Sequence, residues 1–171
     1  ILRGIQVEDG CAIYISPFEH NAVTRVLYQM QKNIHIEIEQ LSVVRDAIQY
    51  DLNGIKKQFE TKAPSVVIVS HASNVCGVVA PIQQICTIAK QYYALTVIDM
   101  CQTAGLVDTD LSSNDIDFAV FAGHKTLYGP FGISGFICAE TAKFSPLLFG
   151  GTGVDSANQE LPGSIPERYE V

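Results

Sequence analysis

No apolar run in this sequence approaches the length needed to cross a bilayer, no two cysteines form a C-x-x-C pair, and the basic residues are scattered. The first absence excludes a membrane-spanning helix and leaves no reason to expect a membrane partner. The third, with a net charge of −7, excludes a phosphate-tracking surface, so no nucleic-acid partner is expected. Only four histidines are present (His20, His35, His71, His124), and the five cysteines (Cys11, Cys76, Cys86, Cys101, Cys138) lie far apart. A structural zinc site needs a close His/Cys cluster, so no metal is expected. The odd cysteine count and wide spacing argue for reduced thiols in a cytoplasm-like compartment.

What is present describes a globular chain. Its 171 residues suffice for one ordinary domain with a real core, and 47% of them are hydrophobic. The opening "ILRGIQVEDG" is not a signal peptide and reads as the middle of something longer.

Short β-branched runs recur at 11–16 (CAIYIS), 34–38 (IHIEI), 65–70 (SVVIVS), 95–99 (LTVID), 118–122 (FAVFA) and 134–139 (SGFICA). Several are apolar on both faces, the pattern of parallel strands covered by helices, whereas "IHIEIEQL" alternates as a strand nearer an edge does. Helical stripes lie between them. Val23, Val26, Leu27 and Met30 follow Asn21 as N-cap, Leu52, Ile55 and Phe59 follow Asp51, and Ile82, Ile85, Ala89 and Tyr92 follow Pro81. From about residue 150 the periodicity gives way to a Gly- and Pro-containing loop. The alternation predicts a three-layer α/β fold, a mostly parallel sheet with right-handed crossovers and helices on both faces.

Ligands of open α/β sheets bind beyond the carboxyl ends of the strands. Polar residues follow four predicted strands there: Glu19-His20, then His71 and Asn74, then Asp99 and Gln102, then His124-Lys125 within "FAGHKTLYGPFG". Singly, each has an ordinary reading: Asp99 as a turn residue, Lys125 as a solvated lysine, His20 as a cap. Together, a lysine able to condense with an aldehyde and a carboxylate able to keep a pyridine nitrogen protonated match the needs of pyridoxal 5'-phosphate.

The segments "SPFEHNAV", "VSHASNVCGVVAPI", "VIDMCQTAG" and "DFAVFAGHKTLYGPFGISG" resemble, in order and spacing, the class V aminotransferase-fold enzymes, within them the cysteine desulfurase and selenocysteine lyase branch. The resemblance runs over nearly the whole chain. It implies that residues 1–171 are the central part of a pyridoxal-phosphate-binding large domain of fold type I. Lys125 would carry the cofactor as a Schiff base, Asp99 would face the pyridinium nitrogen and His20 would stack over the ring. Gln102 and Asn74 would hydrogen-bond near the ring hydroxyl or the substrate, and His124 would contact the phosphate. The implied catalytic pair is Lys125 with His20.

The same resemblance implies parts that this chain does not carry. A phosphate-binding turn would lie upstream of Ile1. A persulfide-forming cysteine, a substrate-gripping arginine and a segment reaching a neighbouring subunit would lie beyond Val171. None of the five cysteines aligns with the persulfide position, so Cys76 and Cys101 are expected to pack as small hydrophobes. Ala122 stands where relatives usually carry Ser or Thr. The expected activity is conversion of L-cysteine to L-alanine plus enzyme-bound sulfur, in a dimeric parent that passes sulfur to an acceptor protein. Another class V reaction (selenocysteine lyase, epimerase or aminotransferase) and a non-catalytic remnant are the alternatives, and fold does not choose between them.

Overall fold

The structure, a computed structural model, describes residues 1–113, 115–154 and 157–169. Its chain divides into two compact units, Val7–Ala142 and a second made of Ile1–Gln6 with Lys143–Val171.

The larger unit is built on a six-stranded sheet. Its strands are β1 (Cys11–Ile15), β2 (Ile36–Gln40), β5 (Val66–Ser70), β6 (Leu95–Asp99), β7 (Phe118–Ala122) and β8 (Ser134–Cys138), in the spatial order β2-β1-β5-β6-β7-β8. All neighbours are parallel except β7 and β8. Two-residue strands β3 (Val43–Val44) and β4 (Gln49–Tyr50) form a separate hairpin. The helices are α1 (Asn21–Met30), α2 (Leu52–Thr61) and α3 (Ile82–Lys90).

The apolar runs explain the centre of this sheet. Every residue of β5 is buried, as a strand covered on both faces requires. Tyr14, Val67, Val69 and Ile98 pack with Ile55 and Phe59 of α2 and Ile85 and Ala89 of α3. The Phe59 ring meets Tyr14 and Tyr92 edge-on, with centroids 4.8 and 5.9 Å apart. Alternate residues Ile13, Ile15, Ile68 and Phe118 are buried on the opposite face, and Val23 and Leu27 of α1 are buried outside the α2–α3 cluster. The three-layer expectation therefore holds.

Details differ from the periodicity. Strand β2 starts two residues later than its alternation suggests and is an edge strand. The chain before it is occupied otherwise: His35 donates its amide to Asp9 and accepts from Gly10. Helix α1 is capped by His20, not Asn21; His20 Nδ1 accepts the Ala22 amide at 3.2 Å. Asn21 is instead the first helical residue.

A buried polar network ties the amino ends of the central strands. Asp117 accepts from the Thr96 amide at 2.7 Å and from Lys90 Nζ at 2.5 Å, and its own amide donates to Thr96 Oγ1 at 2.9 Å.

In the smaller unit, Ser145 donates its amide to Gly4 O at 2.8 Å, and the Phe144 and Tyr169 rings stack 4.2 Å apart. A Cβ at Gly4 would lie 2.3 Å from Ser145 O, so this close approach requires glycine. A 3₁₀ turn over Glu167–Tyr169 is the only regular element among the described residues beyond 150, in keeping with the expected loop.

Candidate functional site

Because β1, β5, β6 and β7 are parallel and adjacent, their carboxyl ends form one rim. Glu19-His20, His71 and Asn74, Asp99 and Gln102, and His124-Lys125 all follow those ends, as the sequence suggested. Asp99 closes β6 and pairs in register with Ser70 on one side and Val120 on the other.

Behind the rim, the turn bearing Asp99 and Gln102 is held rigidly. Asp99 Oδ1 accepts the Cys101 amide at 2.9 Å, and the Thr103 hydroxyl lies 2.9 Å from His71 Nδ1. His71 is buried, and burial lowers its pKa, so it stands there as a neutral hydrogen-bonding group. His71 also donates its amide to Asp99 O at 2.9 Å. It therefore braces the strand end that the candidate carboxylate occupies.

The lysine arrives on a loop closed upon itself. Gly129 donates its amide to Gly123 O at 2.8 Å, and Lys125 donates its amide to Ala122 O at 3.1 Å. A Cβ at Gly129 would stand 3.1 Å from Gly123 O, which explains glycine at the closure. The Lys125 ammonium has no hydrogen-bond or ion-pair partner among the described residues. The His124 ring lies against Phe131, with centroids 4.8 Å apart, and its Nδ1 is buried without a partner. Buried polar atoms are nearly always satisfied, so this orphan fits an acceptor that the protein itself does not supply.

Electrostatics link the rim. Burial, and then the hydrogen bond and charge of Asp99, push the Cys101 thiol up to about 12, while Lys125 acts in the opposite direction. One thiol thus feels both the candidate carboxylate and the candidate lysine. Burial pushes the Glu19 carboxyl up to about 7 against the bonds it accepts from Ser70, and the Asp99 charge adds to the rise. A cleft of about 520 Å³ lies beside the rim, lined by Phe18, Glu19, Arg45, Ile48, Asn74 and Cys76 among others.

Not every predicted residue is drawn in. Among the described residues, the side chains of His20, Gln102 and Lys125 make no hydrogen bond to the other predicted site residues. His20 is exposed and spends Nδ1 on its helix. Cys76 corrects an expectation: it is exposed rather than packed, and the Ser73 hydroxyl holds its thiol below the ordinary value. Cys101 is half-buried. The sequence reading passed over Ser70, Tyr50 and Thr103, which brace the rim, and the hairpin that brings Arg45 and Ile48 to the cleft.

A parallel sheet bearing an aspartate, an unpartnered lysine and an orphaned histidine nitrogen at adjoining strand ends suits a cofactor with an aldehyde, a basic ring nitrogen and an anionic group. The class-V aminotransferase family matches residues 1–170, and the chain belongs to that family of pyridoxal-phosphate-dependent enzymes. It is 34% identical to a probable cysteine desulfurase 2 of Mycobacterium leprae, over 99% of this chain and 40% of the relative. It is 30% identical to a probable cysteine desulfurase of Halalkalibacterium halodurans, over 90% of this chain and 39% of the relative. The fold is that of the apo cysteine desulfurase of Thermococcus onnurineus, with a TM-score of 0.84 and 29% identity over 96% of this chain and 42% of that one. The chain spans about two fifths of the length of the curated relatives it matches.

Proposed function

We propose that the full-length protein is a pyridoxal-phosphate-dependent cysteine desulfurase that converts L-cysteine to L-alanine and enzyme-bound sulfur, and that residues 1–171 are the central part of its cofactor-binding large domain. The observation that carries this reading is the juxtaposition of Asp99, Lys125 and the orphaned His124 Nδ1 at adjoining strand ends, in a chain similar along its length to cysteine desulfurases.

Pyridoxal phosphate, when bound, supplies the electron sink that stabilises negative charge at the substrate's α-carbon. The residues here do the rest. Lys125, with no hydrogen-bond or ion-pair partner among the described residues, is available to hold the aldehyde carbon and to carry a proton at Nζ. Asp99, fixed through Cys101 and braced by His71, would hold the ring nitrogen in its protonated form. His124 would hold the phosphate through Nδ1, and His20 would stand over the ring from the β1–α1 loop. Asn74 and Gln102 orient the ring hydroxyl or the substrate. The small amino-acid substrate enters beside the cleft that Glu19 and Asn74 line.

A homodimer, a sulfur-acceptor protein and a cytoplasmic setting belong to the same reading. All five cysteines are free thiols. No helix among the described residues is long and apolar enough to cross a membrane.

Borohydride reduction of the full-length protein loaded with pyridoxal phosphate, followed by peptide mapping, should place the label on Lys125. An assay with L-cysteine and a dithiol reductant, which releases the enzyme-bound sulfur as sulfide, should yield alanine and sulfide. Label on another lysine, with Lys125 unmodified, would overturn the site; alanine-free turnover of some other amino acid would overturn the reaction.

A further inference from the structure

The loop from Ser16 to His20 connects the end of β1 to α1 and must carry His20 across the rim. Its backbone is held at its start, where Ser16 donates its amide to Ile68 O at 2.9 Å, and by a longer bond at its end, where Glu19 donates its amide to Ser16 O at 3.3 Å. The firm attachment is made by a side chain. Glu19 Oε1 accepts the Ser70 amide at 2.5 Å and Oε2 accepts the Ser70 hydroxyl at 2.8 Å, across 51 residues of sequence. Ser70 is buried at the end of β5 and pairs in register with Asp99. The carboxyl therefore joins the residue before His20 to the strand neighbouring Asp99.

We propose that Glu19 is a positioning residue, a carboxyl clasp that sets where His20 stands relative to Asp99 and adjusts the electrostatic field that Asp99 feels. The inference rests on the cofactor reading for what the rim holds, while the clasp is a property of the chain alone.

Chemistry lets the clasp persist through a change of charge. The Ser70 amide can donate to a carboxylate or a carboxylic acid. The serine hydroxyl can donate to the first or accept from the second, because its hydrogen rotates freely. What changes with the proton is the negative charge beside Asp99. Burial and that neighbouring charge bring the carboxyl's pKa to about 7, so both forms are populated at neutral pH. The titratable and charged groups facing Glu19 from the surrounding elements are few. Asp99 faces it from β6, Tyr50 from β4, and Arg45 and Cys76 across the cleft, while His71 follows Ser70 on β5 and His20 follows Glu19 on its own loop. Tyr50 is pushed up to about 12 by burial and by Glu19, so it stays neutral while Glu19 titrates. Tyr50 also holds the other side of the loop, its hydroxyl 2.6 Å from Ser16 Oγ and its ring edge-on to Phe18.

The test uses the full-length protein with Glu19→Gln and Glu19→Ala. The glutamine can reproduce both bonds, its oxygen accepting the Ser70 amide and its amide donating to the Ser70 hydroxyl. In the cofactor-free protein, hydrogen exchange at the Ser70 amide should quicken by about tenfold to a hundredfold in Glu19→Ala and stay near the parent's rate in Glu19→Gln. An unchanged Ser70 rate in Glu19→Ala would overturn the clasp. In the loaded protein, the pH dependence of the bound cofactor's absorbance should show a step near 7 in the parent that is absent from Glu19→Gln. The same step in both would overturn the coupling to Asp99. Failure of the parent to bind pyridoxal phosphate at all would refute the cofactor reading, with the exchange rates still deciding the clasp.

Discussion

The two ends of the sheet use the same residue types for opposite purposes. At the amino ends, Asp117 and Lys90 form a pair at 2.5 Å, and Thr96 meets the carboxylate with its backbone amide. At the carboxyl ends, Asp99 keeps its bond to the Cys101 amide, while among the described residues Lys125 has no hydrogen-bond or ion-pair partner and a buried nitrogen of His124 is unsatisfied. An aspartate and a lysine that satisfy one another contribute to folding. The same two residue types, at or just after adjoining strand ends and not paired with one another, make the candidate site. Satisfaction of polar groups, more than residue identity, distinguishes the structural end from the candidate functional one.

Substitution at each end should separate these purposes. The largest effect is expected from Asp117→Ala, which leaves a partly buried lysine and the Thr96 amide without their acceptor. A loss of about 3–5 kcal/mol in denaturant unfolding is the expected result. A stability close to the parent's would mean that water replaces the carboxylate. Asp99→Ala is the counterpart. Turnover of the full-length enzyme should fall by about a hundredfold to a thousandfold, as when one group that stabilises developing charge is removed. Cofactor binding through Lys125 should survive, and stability should change by about 1 kcal/mol or less. If turnover were normal, Asp99 would not face the ring nitrogen.

Ala122 sharpens the comparison from within the rim. It is buried at the end of β7, where the family resemblance implies Ser or Thr. In the full-length protein, Ala122→Ser should tighten pyridoxal phosphate binding by about tenfold to a hundredfold, the worth of a hydrogen bond to a charged group. Equilibrium titration measures this directly, and equal affinities would mean that position 122 faces away from the phosphate.

The smallest effect concerns pH. A carboxyl whose pKa is raised on folding binds its proton more tightly in the native state, so its contribution is full below the unfolded value and is lost as pH rises. For Glu19 the window runs from 4.5, its ordinary value, to about 7. Over that window the parent should lose about 1–3 kcal/mol of stability from this group, discounted for its partial exposure. Glu19→Gln should flatten that part of the profile, and identical profiles would place the titration elsewhere.

Much of this was legible in the sequence where one physical rule dominates. Strands buried on both faces, such as 65–70, declare themselves by unbroken apolar runs, and residues following them fall on the rim by topology alone. The β3–β4 hairpin was not legible. Two-residue strands carry no period, and its turn places Ile48 at φ 50°, a conformation that a β-branched residue does not advertise. The capping of α1 was open in the sequence between Asn21, read from the helical stripe, and His20, whose ordinary reading is a cap, because periodicity fixes a helix's buried face more firmly than its first residue. The raised carboxyl of Glu19 and the exposure of Cys76 depend on through-space burial, which no local pattern encodes.

The reversal of direction at β8 carries a consequence for how this family can vary. Each other connection within the six-stranded sheet leaves the rim, crosses a face and re-enters from the far edge, as parallel neighbours require. The span from Ala122 to Ser134 alone departs from and returns to the same rim, for these two residues face one another across the β7–β8 ladder. Lengthening a closed loop costs only about 0.6 kcal/mol for each doubling. Residues added around Tyr128 to Phe131 would therefore alter what surrounds Lys125 while the sheet register that fixes Asp99 stays untouched. The candidate carboxylate and the surroundings of the candidate lysine are free to evolve at different rates.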